Sequence, residues 1–272
     1  MSVLSIERQR VDPPASLPVE RLSVSSLNLF SRCPSAWARR YLLHEIEPPS
    51  GRMVLGSAAG AALAQHFGRI IETGVGLSTE ELLDEFASGW DGRCGREEVI
   101  WGTDSAGALK DSGAAALALY HTTIAPGVIP STVEREFHMT WPDAPFALVG
   151  FIDLETVDGA VVDFKLGAQR MTADKAAAEL QPTVYLAARR AEGNPATGFE
   201  YHAMARTRKP SAEIVPAPRT ERQLDLLTHR VFSIARSMEW RWLNDCWQGT
   251  PPDLAWLCRS CSAVDCAWRL AG

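Results

Sequence analysis

Residues Phe146–Leu166 read FALVGFIDLETVDGAVVDFKL, and this stretch decides the fold. Its β-branched and aromatic content predicts two strands, Phe146 to Val157 and Ala160 to Leu166, with Asp158-Gly159 as a hairpin turn signal between them. Asp163 and Lys165 are two apart on the second strand, so both project to one face, while Val162, Phe164 and Leu166 face the other. The register of the hairpin decides whether Asp153 joins them. A two-residue Asp158-Gly159 loop pairs Asp153 with Phe164 and sends the two carboxylates to opposite faces. A three-residue loop, Val157 to Gly159 with Gly159 left-handed, pairs Asp153 with Asp163 on one face. We expect this register or another of the same parity. Two carboxylates so placed can hold a divalent cation while Lys165 faces a phosphate or an attacking water, an arrangement suited to phosphodiester hydrolysis.

Upstream of this hairpin the pattern is helical. Ser25 or Ser26 can cap a short helix carrying Leu27 and Phe30, and Pro34 restarts helical pattern through Trp37 and Tyr41, with Cys33 at the joint. Leu55 to Ile71 reads as a buried helix whose Gly56, Ser57, Gly60 and Ala61 allow close approach to a neighbour. Helices are also expected at Thr79 to Trp90 and Ser105 to Thr123, and a strand at Thr132 to Thr140. Downstream, a helix from Ala173 to Glu192 leads to a strand, Gly198 to Ala205, and a long helix from Thr220 to Cys246 leads to a cysteine-rich tail. Helices, then a β-meander, then helix and strand predict one α/β core with a helical N-terminal portion.

The chain has 272 residues, 46% hydrophobic and 22% charged, the composition of a folded globule. Its net charge of -6, from 27 basic and 33 acidic residues, argues against a protein that coats nucleic acid through a uniformly basic surface. It leaves room for a basic cleft beside an acidic metal site. The charged, proline-containing start lacks the apolar core of a signal peptide, and no apolar run approaches the ~20 residues that span a bilayer. No membrane association and a cytoplasmic setting, in a bacterium or a phage-infected host, are the expectations. There cysteines serve as core thiols or metal ligands.

GFID, then DFK ten residues on, then Gln181 and Tyr185, resembles the PD-(D/E)XK nucleases of the RecB-like branch, and in particular the stand-alone phage and CRISPR-associated exonucleases with an iron-sulfur cluster. The match runs from about Ser23 to the C-terminus, and the ordered combination of short motifs carries it. The resemblance implies a restriction-endonuclease-like core, a central mixed sheet flanked by helices. After a loose leader, 1–20, it implies a single nuclease domain, 21–272: a mainly helical 21–125, a catalytic core 130–206, and a long helix with a cluster-binding tail, 218–272. It assigns Asp153, Asp163, Lys165, Gln181 and Tyr185 as catalytic residues. His66, Asp153, Asp163 and the main-chain carbonyl of Phe164 become ligands of Mg²⁺ or Mn²⁺. Gln181 and Tyr185, four apart, share a helical face. The implied activity is hydrolysis of DNA, from single-stranded ends, in recombination, repair or phage and CRISPR DNA processing. A helicase or recombination partner would supply any unwinding.

Each residue also has a plainer account. Asp163 and Lys165 fit a solvated ion pair, His66 a hydrogen-bonded core histidine, and Glu134 and Glu136, one of which could assist a second metal or bind water, a solvated strand face. The tail CRSCSAVDC spaces Cys258, Cys261 and Cys266 as C-x2-C-x4-C, suited to a metal or cluster that needs a fourth ligand. Cys246 is nearest in sequence. The resemblance selects Cys33 and a 4Fe-4S cluster, which would tie the N-terminal helix to the tail, while spacing alone fits Zn²⁺ equally. Cys94 and Cys246 are then ordinary thiols. Arg206, Arg208, Lys209, Arg219 and Arg222 cluster across an expected loop, either as a phosphate-tracking patch or as a solvated surface. Trp240, Leu243 and Trp247 share a helical face and are expected to pack inward, with Trp242 left for base stacking. Two other functions remain open at this level: a non-catalytic DNA-binding scaffold, and a zinc-stabilised interaction module.

Overall fold

The structure, a computed structural model, describes residues 11–96 and 98–249 together with 258, 261, 263 and 265–269. The first half of the expected leader and most of the expected tail lie outside these. Among the described residues no helix is long and apolar enough to cross a membrane. The chain forms two compact units.

The larger unit, Pro48–Phe137 with Phe151–Thr220, holds the hairpin. Strands β2 (Pro130–Met139), β3 (Ala147–Thr156), β4 (Ala160–Gly167), β5 (Gly198–Ala205) and β6 (Ser211–Pro216) form a mixed sheet in which β2 pairs with β3. The β3–β4 and β5–β6 pairs are antiparallel, and β4–β5 is parallel. Helices α3 (Gly51–Thr73) and α5 (Ala106–Thr123), with α4 (Thr79–Arg96) packed on both of them, lie on the face of the sheet that carries Phe164, whose ring stacks on Phe67 at 5.8 Å and meets Tyr120 edge-on. Helices α6 (Ala173–Ala178) and α7 (Gln181–Ala191) cover the opposite face, supplying the crossover that a parallel strand pair requires. This mixed sheet flanked by helices is the expected α/β architecture.

Local chemistry accounts for most of these elements. Ser50 and Ser105 cap α3 and α5, and Gly74 ends α3 at φ 79°. Close helix approach does not occur at Gly56 and Gly60, where an added Cβ would meet nothing within 4 Å. It occurs at Gly113, where one would lie 2.5 Å from Leu55. His202 is buried on β5, its Nδ1 2.7 Å from the Tyr120 hydroxyl, and burial pushes it down to about 4, so it is neutral at pH 7.

Three expectations are corrected here. The helix from Ala173 to Glu192 is two helices, because Pro182 has no N–H and its ring would collide with the carbonyl of Ala178 in a continuous helix. Residues Ser211–Pro216 form an edge strand on β5 where a basic loop was expected; flanking prolines are tolerated at an edge. The long C-terminal helix is interrupted at Leu226, giving α8 (Glu221–Asp225) and α9 (Leu227–Leu243).

The smaller unit, within Met1–Glu47, His138–Gly150 and Glu221–Gly272, contains β1 (Arg21–Leu22), α1 (Val24–Arg32), α2 (Pro34–Tyr41), α8 and α9. β1 pairs in parallel with Ala147 and Leu148 at the start of β3. Ser23, rather than Ser25 or Ser26, caps α1, and Cys33 is at once the C-cap of α1 and the N-cap of α2. The core gathers Leu27, Phe30 and Trp37 with Val231, Phe232, Ala235 and Met238 of α9. Trp247 stacks on Trp37 at 5.7 Å as expected of a core residue, but Trp240 and Leu243 are 57% and 67% exposed. Trp240 follows the buried Val231 by about two and a half turns, which turns it to the opposite side of α9.

Candidate active site

The hairpin takes the register that puts the carboxylates together. Leu154 pairs with Val162 and Glu155 with Val161, so Val157–Gly159 is the loop and Gly159 has φ 87°. Asp153 then stands opposite Asp163. Its Oδ2 accepts the Phe164 N–H at 2.9 Å, so a side chain takes the place of the next main-chain bond.

Asp163 is 2% exposed. Lys165 Nζ lies 2.6 Å from Asp163 Oδ2 and donates to Gln181 Oε1 at 3.1 Å. The Gln181 amide donates to Asp163 Oδ1 and, at 3.0 Å, to the Tyr185 hydroxyl. The break between α6 and α7 makes this possible by starting α7 at Gln181, directly over β4. Tyr201, beside Asp163 in the β4–β5 register, places its ring 5.6 Å from the Lys165 ammonium.

The electrostatics are those of a site short of positive charge. Burial pushes the Asp153 carboxyl up to about 7, and the charge of Asp163 adds to this, against the Phe164 N–H and Lys165. Burial also raises Asp163, against Lys165 and Gln181. Asp163 Oδ2 has the Lys165 ammonium as its partner, 2.6 Å away. Two buried carboxylates with one lysine between them are relieved by a divalent cation with oxygen preference, so the donor set fits Mg²⁺ or Mn²⁺. In an extended strand the N–H and C=O of one residue point to the same side. The Phe164 carbonyl therefore opens toward Asp153, as a ligand there must.

Of the expected site residues, Asp153, Asp163, Phe164, Lys165, Gln181 and Tyr185 come together and His66 does not. α3 packs on the Phe164 face of β4, the face opposite Asp163. His66 is buried beside the turn after α3, its Nδ1 accepting the Leu77 N–H at 3.1 Å and its ring 4.6 Å from that of His121. Among the described residues no three His, Cys, Asp or Glu side chains converge on one point as ligands of a single ion. The structure therefore favours the core-histidine account of His66.

Three residues near the site were missed or passed over. Glu179, in the α6–α7 break, raises Asp163 by its charge, and Pro182 is the sequence signal that marks the break. Tyr201 is fully buried, and its hydroxyl has no hydrogen-bond partner among the described residues. Glu134, read as a solvated strand face, has φ 46° within β2, a conformation a non-glycine residue rarely adopts, and its charge is felt at Asp153.

In the smaller unit a cavity of about 390 Å³ is lined by Cys33, Cys258, Cys261 and Cys266, with Ser35 and Trp268. Cys246 is not among its walls. All four thiols are free, and Cys33 Sγ accepts the Ala36 N–H at 3.5 Å.

Comparison with known proteins agrees with this geometry. A solved structure from Eubacterium rectale, named as a candidate exonuclease, superposes with a TM-score of 0.59 at 15% identity, over 88% of this chain and 87% of that one. A second, named SSO0001, covers 94% and 90% at 12% identity, but its TM-score of 0.42 is too low to carry weight. No curated protein matches the sequence. The family model of the PD-(D/E)XK nuclease superfamily matches residues 21–266, which include the hairpin, Gln181, Tyr185 and all four cavity cysteines. This chain belongs to the PD-(D/E)XK nuclease superfamily.

Proposed function

We propose that the protein is a divalent-metal-dependent deoxyribonuclease that degrades DNA from single-stranded ends, in recombination, repair or phage and CRISPR-associated DNA processing. The observation that carries this is the single hydrogen-bonded set of Asp163, Lys165, Gln181 and Tyr185, with Asp153 beside it. Asp153, Asp163 and the Phe164 carbonyl would hold Mg²⁺ or Mn²⁺. A cation bound there supplies activation of water and neutralisation of charge at the scissile phosphate. Lys165 presents its ammonium to the phosphate oxygens as negative charge builds on them. Gln181 holds that ammonium in place through Oε1, and its own amide is fixed by Asp163 and Tyr185. The end preference and the DNA substrate rest on likeness to the RecB-like branch, and the name of the Eubacterium rectale structure points the same way.

The four cavity cysteines are the proposed ligands of a 4Fe-4S cluster. A tetrahedral zinc ion needs four sulfurs about 2.3 Å from one point. The choice of a cluster over zinc rests on the likeness to the RecB-like exonucleases with an iron-sulfur cluster.

Linear and circular single-stranded DNA incubated with Mn²⁺ separate the possibilities. Loss of the linear substrate with the circle intact is expected. Cutting of the circle would replace an exonuclease by an endonuclease, and binding without cleavage of either would favour the scaffold.

A further inference from the structure

The basic run around β6 was read from sequence as a possible phosphate track, but Arg219 is otherwise engaged. Its Nε donates to Thr183 Oγ1 at 2.8 Å, Nη1 to the carbonyls of Ala217 and Pro218 at 3.3 and 2.9 Å, and Nη2 to those of Ala176 and Glu179 at 3.2 and 2.7 Å. A guanidinium has five N–H groups, and all are used, which leaves none for a phosphate. The partners are informative. Ala176 lies in the last turn of α6 and Glu179 just beyond it, where helix carbonyls lose their internal donors, while Thr183 belongs to the first turn of α7. Gln181 lies midway between Glu179 and Thr183, in a segment where Pro182 forbids a continuous helix. The fork therefore grips the chain on both sides of the residue that bridges Asp163 and Lys165.

We propose that Arg219 is a positioning residue of the site: by joining Glu179 to Thr183 it fixes Gln181, and through Gln181 it fixes the Lys165 ammonium. This rests on the nuclease reading of the site. A lysine cannot replace it, because an ammonium has three N–H groups on one atom and cannot serve four carbonyls and a hydroxyl.

With linear single-stranded DNA and Mn²⁺, Arg219→Met is expected to lower kcat by about 10- to 100-fold, the scale of a small misplacement of a reacting group, with KM and the salt dependence of DNA binding unchanged. Gln181→Ala is expected to lower kcat at least as much, and the double variant no further than Gln181→Ala alone. Multiplying losses, or a raised KM with a shallower salt dependence, would overturn the proposal, the latter by making Arg219 a phosphate contact. If Arg219→Met does not fold, the near-isosteric Thr183→Val removes one of the five bonds, and a several-fold fall in kcat that Gln181→Ala absorbs is the equivalent result; additive losses overturn it. Labelling of Lys165 by an amine reagent, read by mass spectrometry, needs no turnover. It should accelerate several-fold in Arg219→Met as in Gln181→Ala. A response in labelling from a protein that cleaves no DNA would sink the nuclease reading and leave the positioning role standing. An unchanged labelling rate in Arg219→Met alone would do the reverse.

Discussion

Asp153→Asn is expected to abolish nuclease activity, by about three orders of magnitude in kcat, while making the metal-free protein more stable at pH 8. The amide keeps an oxygen for the Phe164 N–H, so the hairpin is undisturbed. What changes is charge. Burial and Asp163 raise the folded carboxyl from 3.8 to about 7. Between those values the folded protein keeps a proton that the unfolded chain has lost, so stability falls as pH rises through the window. Above it, the metal-free fold carries a penalty on the order of 4 kcal/mol, at ~1.4 kcal/mol per pH unit, which asparagine removes. Melting of both proteins without metal at pH 8 and pH 4 tests this. A gain of several degrees at pH 8, shrinking at pH 4, is expected, together with loss of the Mn²⁺-induced stabilisation expected of wild type. Lower stability at pH 8 would mean that the protein holds Asp153 charged by other means.

The second large effect lies in the smaller unit. Cys33→Ser retains a good N-cap for α2, since a serine hydroxyl accepts the Ala36 N–H at least as well as the thiol does. If Cys33 were only a cap, the variant would be neutral. As a ligand joining Cys33 to Cys258, 225 positions away by 258 − 33, it closes a loop whose entropy is worth about 5 kcal/mol. Anaerobically purified wild type is expected to carry iron and acid-labile sulfide and to absorb visible light. Cys33→Ser should lose both and expose α1 and α2 to proteolysis. A colourless wild type loaded with zinc would replace the cluster by a zinc site, and full retention of metal by Cys33→Ser would remove Cys33 from the ligand set.

How far the sequence carried the structure depends on whether local chemistry or tertiary phase decided each point. The Asp158-Gly159 turn signal left two hairpin registers open, and it was the requirement that Asp153 and Asp163 share a metal that selected, through the two-residue period of side-chain alternation, the parity the structure shows. Gln181 and Tyr185 were legible as a pair, but the break that brings Gln181 over β4 was not read from Pro182. His66 was misplaced because the rotational phase of a long helix depends on what packs against it. Phe67 faces β4 and claims its Phe164 side, which leaves His66 against Leu77 and His121. The same uncertainty of phase put Trp240 inside when it is outside. Arg219 was read by its charge, whereas its role depends on carbonyls that only a folded chain brings together. β6 was missed because its strand character comes from pairing with β5 more than from its own composition.

The most direct test of the site is the turnover of end-labelled single-stranded DNA with Mn²⁺ by Lys165→Ala beside wild type. The Lys165 side chain is partly exposed and its polar partners are the side chains of Asp163 and Gln181, so the variant should keep the β4 pairing, fold and retain Mn²⁺-induced stabilisation. The account predicts a fall in kcat of about 10²- to 10³-fold with metal binding intact. Equal turnover by Lys165→Ala and wild type would contradict it.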